Sequence, residues 1–183
     1  LTWSVPSANG SPITGYLIER STTSAVAGFT DLITDTQSTT ASHTDGVTNT
    51  LVIGTEYWYR ISAINIVGTG AVSTADSTVA GDRPAQISVI SATAQAGQEI
   101  LVAWTAPADN SYTISSYLIQ VSTDQQTWTT AGSSTTTSFT DTSLTIGITY
   151  YYRAHAANSL GDSDKSGIVN ALAGDVPAQT TGL

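Results

Sequence analysis

Hydrophobic and polar positions alternate along this chain with a period of two. Tyr57, Tyr59, Ile61 and Ala63 interleave with Trp58, Arg60 and Ser62, and Tyr150, Tyr152, Ala154 and Ala156 with Tyr151, Arg153 and His155. That period puts the first set of each run on one face of a strand and the second on the other, as in a half-buried antiparallel sheet. Such segments are short and separated by Gly, Pro, Asn and Asp, a spacing that predicts a β-sandwich. No stretch carries a helical 3.6 period.

The pattern occurs twice. Leu51–Gly70 (LVIGTEYWYRISAINIVGTG) matches Leu144–Ser163 (LTIGITYYYRAHAANSLGDS), and Ala80–Gln86 (AGDRPAQ) matches Ala173–Gln179 (AGDVPAQ), both 93 residues apart. Upstream, Leu1–Pro6 matches Val102–Pro107 and Ile13–Ile18 matches Ile114–Ile119, now 101 apart. The first unit thus carries eight extra residues, and the Thr/Ser-rich stretch Thr34–Thr50 is the natural place for them, because surface loops tolerate insertion.

The repeated residues resemble a fibronectin type III domain. In the second unit they run from Pro84 through Trp104, Pro107, Tyr117 and Trp128 to Leu144-x-x-Gly147-x-x-Tyr150-x-Tyr152-Arg153, then Ala156-x-Asn158-x-x-Gly161-x-Ser163. The first unit matches from Trp3 to Ala80, with Phe29 at the Trp128 position. Both units carry Ile (Ile53, Ile146) where the family usually has Pro before the Gly. The resemblance implies an all-β chain of two tandem immunoglobulin-like sandwiches, the first lacking its N-terminal strand. It implies a tyrosine corner at Tyr57 and Tyr150, whose hydroxyls bond nearby backbone. Trp3 and Trp104 are expected to plug the space between sheets, and Tyr59 and Tyr152 to join them in the core.

Composition narrows the class. Thr and Ser make up 55 of 183 residues, while Lys appears once (Lys165) and Glu three times (Glu19, Glu56, Glu99). That is a β composition, and its acidic, Lys-poor character suits a secreted or surface-displayed prokaryotic protein. The net charge of −9 argues against nucleic acid and anionic lipid as partners. The absence of Cys removes disulfides, thiolate metal sites and cysteine nucleophiles. No apolar run is long enough for a membrane-spanning helix. The absence of Met predicts a processed or trimmed start.

The units are expected at residues 1–82 and 83–175. Leu1 aligns with Val102, so residues 84–101 have no counterpart ahead of the first unit. Residues 176–183 match Arg83–Ile90, the opening strand of a unit. They are read as the first strand of a following unit in a covalent array, or as a donor strand (Ala178, Gln179, Thr180, Thr181, Gly182, Leu183) completing a neighbouring copy. Such a head-to-tail contact does not close and builds a fibre.

Candidate chemistry is sparse. His43 and His155 occupy non-equivalent positions with no nucleophile elbow nearby, and the three Glu fall on different strands, so no catalytic residues are assigned. Asp82, Asp162, Asp164 and Asp175 are the candidate ligands for a calcium between units; no other cofactor or metal is expected. Asn9-Gly10-Ser11 is a glycosylation sequon in a loop, followed by Pro12. Leu17 with Trp58, and Leu118 with Tyr151, are expected to form an outward apolar patch in each unit that serves as a lateral interface, with Arg60 facing Glu19. The reading is a non-catalytic structural module of an extracellular filament or cell-surface array, partnered by copies of itself or adjacent repeats. The alternatives are an adhesin or glycan-binding module and a spacer of a secreted carbohydrate-active enzyme.

Overall fold

A computed structural model describes residues 1–46 and 50–175. It separates into two compact units, Leu1–Gly81 and the residues from Asp82 onward. Every regular element among the described residues is a strand.

In unit 2, β6 (Ile90–Gln95), β7 (Glu99–Trp104) and β10 (Ser138–Asp141) form one sheet in the order β10-β7-β6. The other contains β8 (Ser116–Ser122), β9 (Thr129–Ser134), β11 (Thr149–Asn158), β12 (Gly161–Asp162) and β13 (Val169–Leu172), in the order β9-β8-β11-β12 with β13 also on β11. All pairs are antiparallel. The inward residues of β7 (Ile100, Val102, Trp104), β8 (Tyr117, Ile119) and β11 (Tyr152, Ala154, Ala156) are buried together with Ile87, Leu144 and Ala173. Period-two burial on facing sheets is what a sandwich core requires.

Unit 1 repeats the larger sheet. Its strands are β1 (Ile13–Ser21), β2 (Thr30–Ile33), β3 (Glu56–Asn65), β4 (Gly68–Thr69) and β5 (Asp76–Val79), in the order β2-β1-β3-β4 with β5 also on β3. Its opposing layer is a short ladder in which Trp3 N–H donates to Ala41 O (3.1 Å) and His43 N–H to Leu1 O (3.0 Å). This is where β7 and β10 meet in unit 2: there Trp104 N–H donates to Thr137 O. No strand among the described residues of unit 1 occupies the place of β6, and its buried cluster shrinks to Tyr57, Tyr59 and Ala80, beside the fully buried Tyr16 and Ile18.

The extra residues of unit 1 are more dispersed than the sequence suggested. The β1–β2 turn, residues 22–29, is two longer than its counterpart at 123–128. The other six fall within 34–50. The longer turn closes on Ser21, whose hydroxyl donates to Ala27 O and accepts the N–H of Thr23.

Candidate functional site

The residues expected in the core hold the two layers together in different ways. Backbone N–H groups donate to the corner phenols, Val52 to Tyr57 and Thr145 to Tyr150, both at 3.1 Å. Gly54 and Gly147 turn the preceding loop at φ 84° and 83°, values that favour glycine. Ile53 and Ile146, in place of Pro, point to solvent. The next tyrosines donate to carboxylates, Tyr59 to Asp45 (2.9 Å) and Tyr152 to Asp141 (3.0 Å). Burial, then the adjoining carboxylate, pushes both phenols up, so both stay neutral.

Trp104 is 6 % exposed and tilts against Tyr117 at 5.1 Å. Trp3 meets Tyr16 edge-on at 4.9 Å but is only half-buried. The two indoles differ because β6 lies beside Trp104, while no strand among the described residues takes that place beside Trp3, whose Nε1 is nonetheless buried. Unit 1 also carries an ion pair that the sequence did not reveal. Arg20 faces inward where unit 2 has Val121, and its guanidinium binds Asp45 at 2.8 Å and lies over Tyr57.

The outward face does not carry the expected apolar patch. The register places Leu17 opposite Ser62 and Trp58 opposite Ser21, with Glu19 opposite Arg60 between them. Unit 2 is alike: Leu118 is opposite His155, Tyr151 opposite Ser122, and Gln120–Arg153 intervenes. Leu17 and Trp58 are therefore four ladder positions apart, roughly 13 Å at strand rise. All four apolar residues are half-buried. A polar stack stands in the middle instead. Arg60 forks onto Glu19 (2.6 and 2.8 Å) and covers the Phe29 ring at 4.2 Å. Arg153 donates to Gln120 (2.8 Å) and covers Trp128 at 4.1 Å. His155 is on this face yet only 7 % exposed, its Nε2 3.5 Å from Asp162.

The four candidate calcium ligands are not brought together. Asp82 and Asp162 lie at one end of unit 2, where Arg83 donates to the Asp162 carbonyl, with Asp164 exposed in the same hairpin region. Asp175 accepts the N–H of Gly97, in the β6–β7 turn at the opposite end. Among the described residues no group of three His, Cys, Asp or Glu could hold a metal ion. His43 N–H is spent on Leu1 O and His155 faces Asp162, and residues 176–183, including the candidate donor strand, lie outside the described residues.

A set of converging polar contacts stands at the end of unit 2 that bears the β7–β8 loop and the β11–β12 turn. There the segment Asp82–Gln86 is bound by backbone and amides. Asp82 N–H donates to Asn110 O (3.2 Å), and Ala85 N–H to Ala108 O (2.9 Å). Asn110 Nδ2 donates to Arg83 O (2.7 Å), and Asn158 Nδ2 to Asp82 O (2.9 Å). Pro84 is buried. Ile87 follows into the core, 1 % exposed, and β6 then pairs with β7 from Ile90↔Trp104 onward.

The loop and the hairpin that hold this segment recur in unit 1. A cleft of about 510 Å³ opens between the loop Pro6–Ser11 and the hairpin Ala63–Ala71, where unit 2 holds Asp82–Gln86. A groove of about 430 Å³ runs along Leu1–Trp3, Tyr59, Ile61 and Ser73–Thr78, where unit 2 holds β6. Asn9 is the counterpart of Asn110, and both stand at positive φ, 47° and 52°. Asn65 is the counterpart of Asn158; its Nδ2 donates to Ser11 O (3.3 Å) and its Oδ1 accepts the N–H groups of Val67 and Gly68. The sequence flagged Asn9 for its sequon alone; its equivalence to Asn110, at the same positive φ, shows only when the loops of the two units are laid side by side.

Comparison with known proteins agrees with this architecture. The fibronectin type III domain model matches residues 83–171. A crystal structure of the FN1–FN3 domains of chicken CNTN1 is similar at TM-score 0.57 and 18 % identity, covering 94 % of this chain and 61 % of that one. Titin domains A168–A170 give TM-score 0.57 at 16 % identity, covering 87 % and 55 %. At these identities the likeness speaks for fold alone, and this chain spans little more than half the length of either. Residues 83–171 thus match the fibronectin type III domain in model and in fold, and unit 1 repeats the larger sheet, the tyrosine corner and the paired tryptophan–tyrosine core of unit 2.

Proposed function

We propose that this chain is a non-catalytic structural module of an extracellular filament or cell-surface array, assembled head to tail by strand addition between sandwiches. The groove in unit 1 is the observation that carries the reading. It has the lining that β6 covers in unit 2, and it leaves Trp3 half-exposed. A groove floored by Leu1, Trp3, Tyr59 and Ile61 and rimmed by Thr2 and Ser73–Thr78 suits a further strand, whose backbone satisfies the ladder edge while alternate side chains enter the core. The N–H groups of Thr2 and Ser4 alternate with that of Trp3, which is spent on Ala41, so they face the groove. The closing strand comes from a covalently preceding repeat or from another copy. Either source gives an open, heterologous series. The acidic, hydroxyl-rich surface suits an extracellular setting. Electron microscopy of native material tests this: filaments with an axial repeat of two sandwiches are expected, and dispersed particles without a repeat overturn the reading.

A further inference from the structure

We infer that the outward face of unit 2 carries a binding site for an acidic sugar, a hexuronate whose carboxylate the Arg153 guanidinium holds and whose ring lies against Tyr151. This site is independent of head-to-tail assembly. It is marked by a difference between the two units. In unit 1 the stack on this face is neutral, because Glu19 accepts from Nε and Nη2 of Arg60 at 2.8 and 2.6 Å. Gln120 stands at the Glu19 position in unit 2. Its Oε1 accepts from Arg153 Nε at 2.8 Å, but the amide brings no charge. Arg20 and Arg60 each end on a carboxylate, and Arg153 has none among the described residues. Its Nη1 and Nη2 therefore present a fork of N–H donors that matches a carboxylate.

The surroundings hold that fork in place. The guanidinium lies 4.1 Å over the Trp128 ring, and the indole is itself fixed, its Nε1 donating to Gln125 O at 3.1 Å. Stacking sets the plane of the fork before a ligand arrives, so little freedom is lost on binding. Arg153 and Trp128 are both half-buried, which makes a charge-assisted bond stronger than in open water. Tyr151 lies two residues before Arg153 on the same face of β11, about 7 Å along the strand, with the exposed Asn170 opposite it on β13. A sugar ring against Tyr151 meets the Asn170 amide with its hydroxyls. The other direction along β11 is closed to an anion, because His155 is buried there with Asp162 3.5 Å from its Nε2. Asp124, in the β8–β9 turn, is spent on Ser122 Oγ and on the N–H groups of Gln126 and Thr127. The net charge of −9 repels a polyanion, so the site suits a glycan that carries an isolated carboxylate.

The test titrates methyl α-D-galactopyranosiduronate into the full chain labelled with 5-fluorotryptophan, with amide spectra to map the site. A saturable shift of the Trp128 resonance is expected, with a dissociation constant of about 1 mM, while Trp58 in unit 1 stays unmoved. The neutral methyl α-D-galactopyranoside and acetate should each bind about tenfold more weakly, one for want of the carboxylate and the other for want of the ring. Gln120→Glu copies the unit 1 pair and should weaken binding about tenfold. Arg153→Lys keeps the charge without the fork and should weaken it about fivefold. The converse change, Glu19→Gln, frees Arg60 and should make the Trp58 resonance respond to the uronide. No saturable shift at Trp128, or binding insensitive to both unit 2 substitutions, overturns the site. Equal binding of the neutral galactoside overturns the carboxylate as the group recognised, and acetate as tight as the uronide overturns the sugar. A silent Trp58 in Glu19→Gln overturns the view that the paired carboxylate is what closes this face in unit 1.

Discussion

Replacing Asn158 by Ala should damage unit 2 far more than the equivalent change at Asn65 damages unit 1. Asn158 Nδ2 lies 2.9 Å from Asp82 O, 3.2 Å from Tyr112 O and 3.3 Å from Asp109 O, and its Oδ1 accepts the Leu160 N–H at 2.8 Å. Two amide protons serve three carbonyls, so about three net hydrogen bonds are lost, at about 1 kcal/mol each. The site is 7 % exposed, so water does not readily replace them, and the expected cost is about 3 kcal/mol. Asn65 holds one carbonyl, Ser11 O, and accepts the N–H groups of Val67 (2.9 Å) and Gly68 (3.2 Å) in a half-buried turn. Water takes over part of that load, and the expected cost is about 1 kcal/mol. The assay is urea unfolding of the full chain labelled with 5-fluorotryptophan. Trp3 and Trp58 report unit 1, and Trp104 and Trp128 report unit 2. Asn158→Ala should lower the midpoint of the unit 2 resonances by roughly 1–2 M, with Asn65→Ala moving only the unit 1 pair, and by less. Equal shifts for the two substitutions, or a larger one for Asn65→Ala, would refute the view that Asn158 is the amide that clamps the segment Asp82–Gln86 in unit 2.

Further outcomes follow from single contacts. The Tyr59 and Tyr152 phenols are raised by burial and their carboxylate partners, so their neutral forms stabilise the fold. That contribution is complete below about pH 10, the ordinary phenol value, and is lost as pH rises beyond it toward the folded values; absorbance at alkaline pH should show these two ionising only as the chain unfolds. Asp124 is held down to about 2 by N–H donors from Thr127 and Gln126 and by the Ser122 hydroxyl. Its stabilising share is therefore present above about pH 4 and fades as pH falls toward 2, and Asp124→Asn should flatten the acid limb of a thermal-stability profile. At Gly132 an added Cβ would stand 2.5 Å from the Phe139 ring, so Gly132→Ala should destabilise unit 2 by about 1–3 kcal/mol, read as an earlier loss of the Trp104 resonance in the same urea titration.

Much of this architecture was legible in the sequence because it is written in local patterns. Period two placed Tyr57 and Tyr59 inward, the Leu-x-x-Gly-x-x-Tyr spacing located both corners, and the offset of 93 residues aligned the units. The Glu19–Arg60 pairing and the equivalence of Phe29 with Trp128 were also readable, since both follow from strand parity and repeat alignment. What failed depended on register and on non-local covering. Alternation says which face a residue takes but not how far one strand slides along its partner, so Leu17 and Trp58 shared a face and still ended four positions apart. Arg20 was hidden because its partner Asp45 sits in the extended loop, which has no period to read. Asn9 looked like a sequon because its counterpart, Asn110, lies in a loop whose sequence (Asn110-Ser111-Tyr112) shares little with it beyond the asparagine.

Amide hydrogen exchange at Thr2 and Ser4, compared between the native assembly and the dilute chain, tests strand addition most directly. These N–H groups face the unit 1 groove, as Thr105 N–H in unit 2 faces the entering strand and donates to Val89 O. The account predicts that they exchange nearly freely in the dilute chain and slow by about a hundredfold or more in the assembly, as a paired strand requires, while Trp3, already bonded to Ala41, changes far less. Equal exchange at Thr2 and Ser4 in the two states would contradict it.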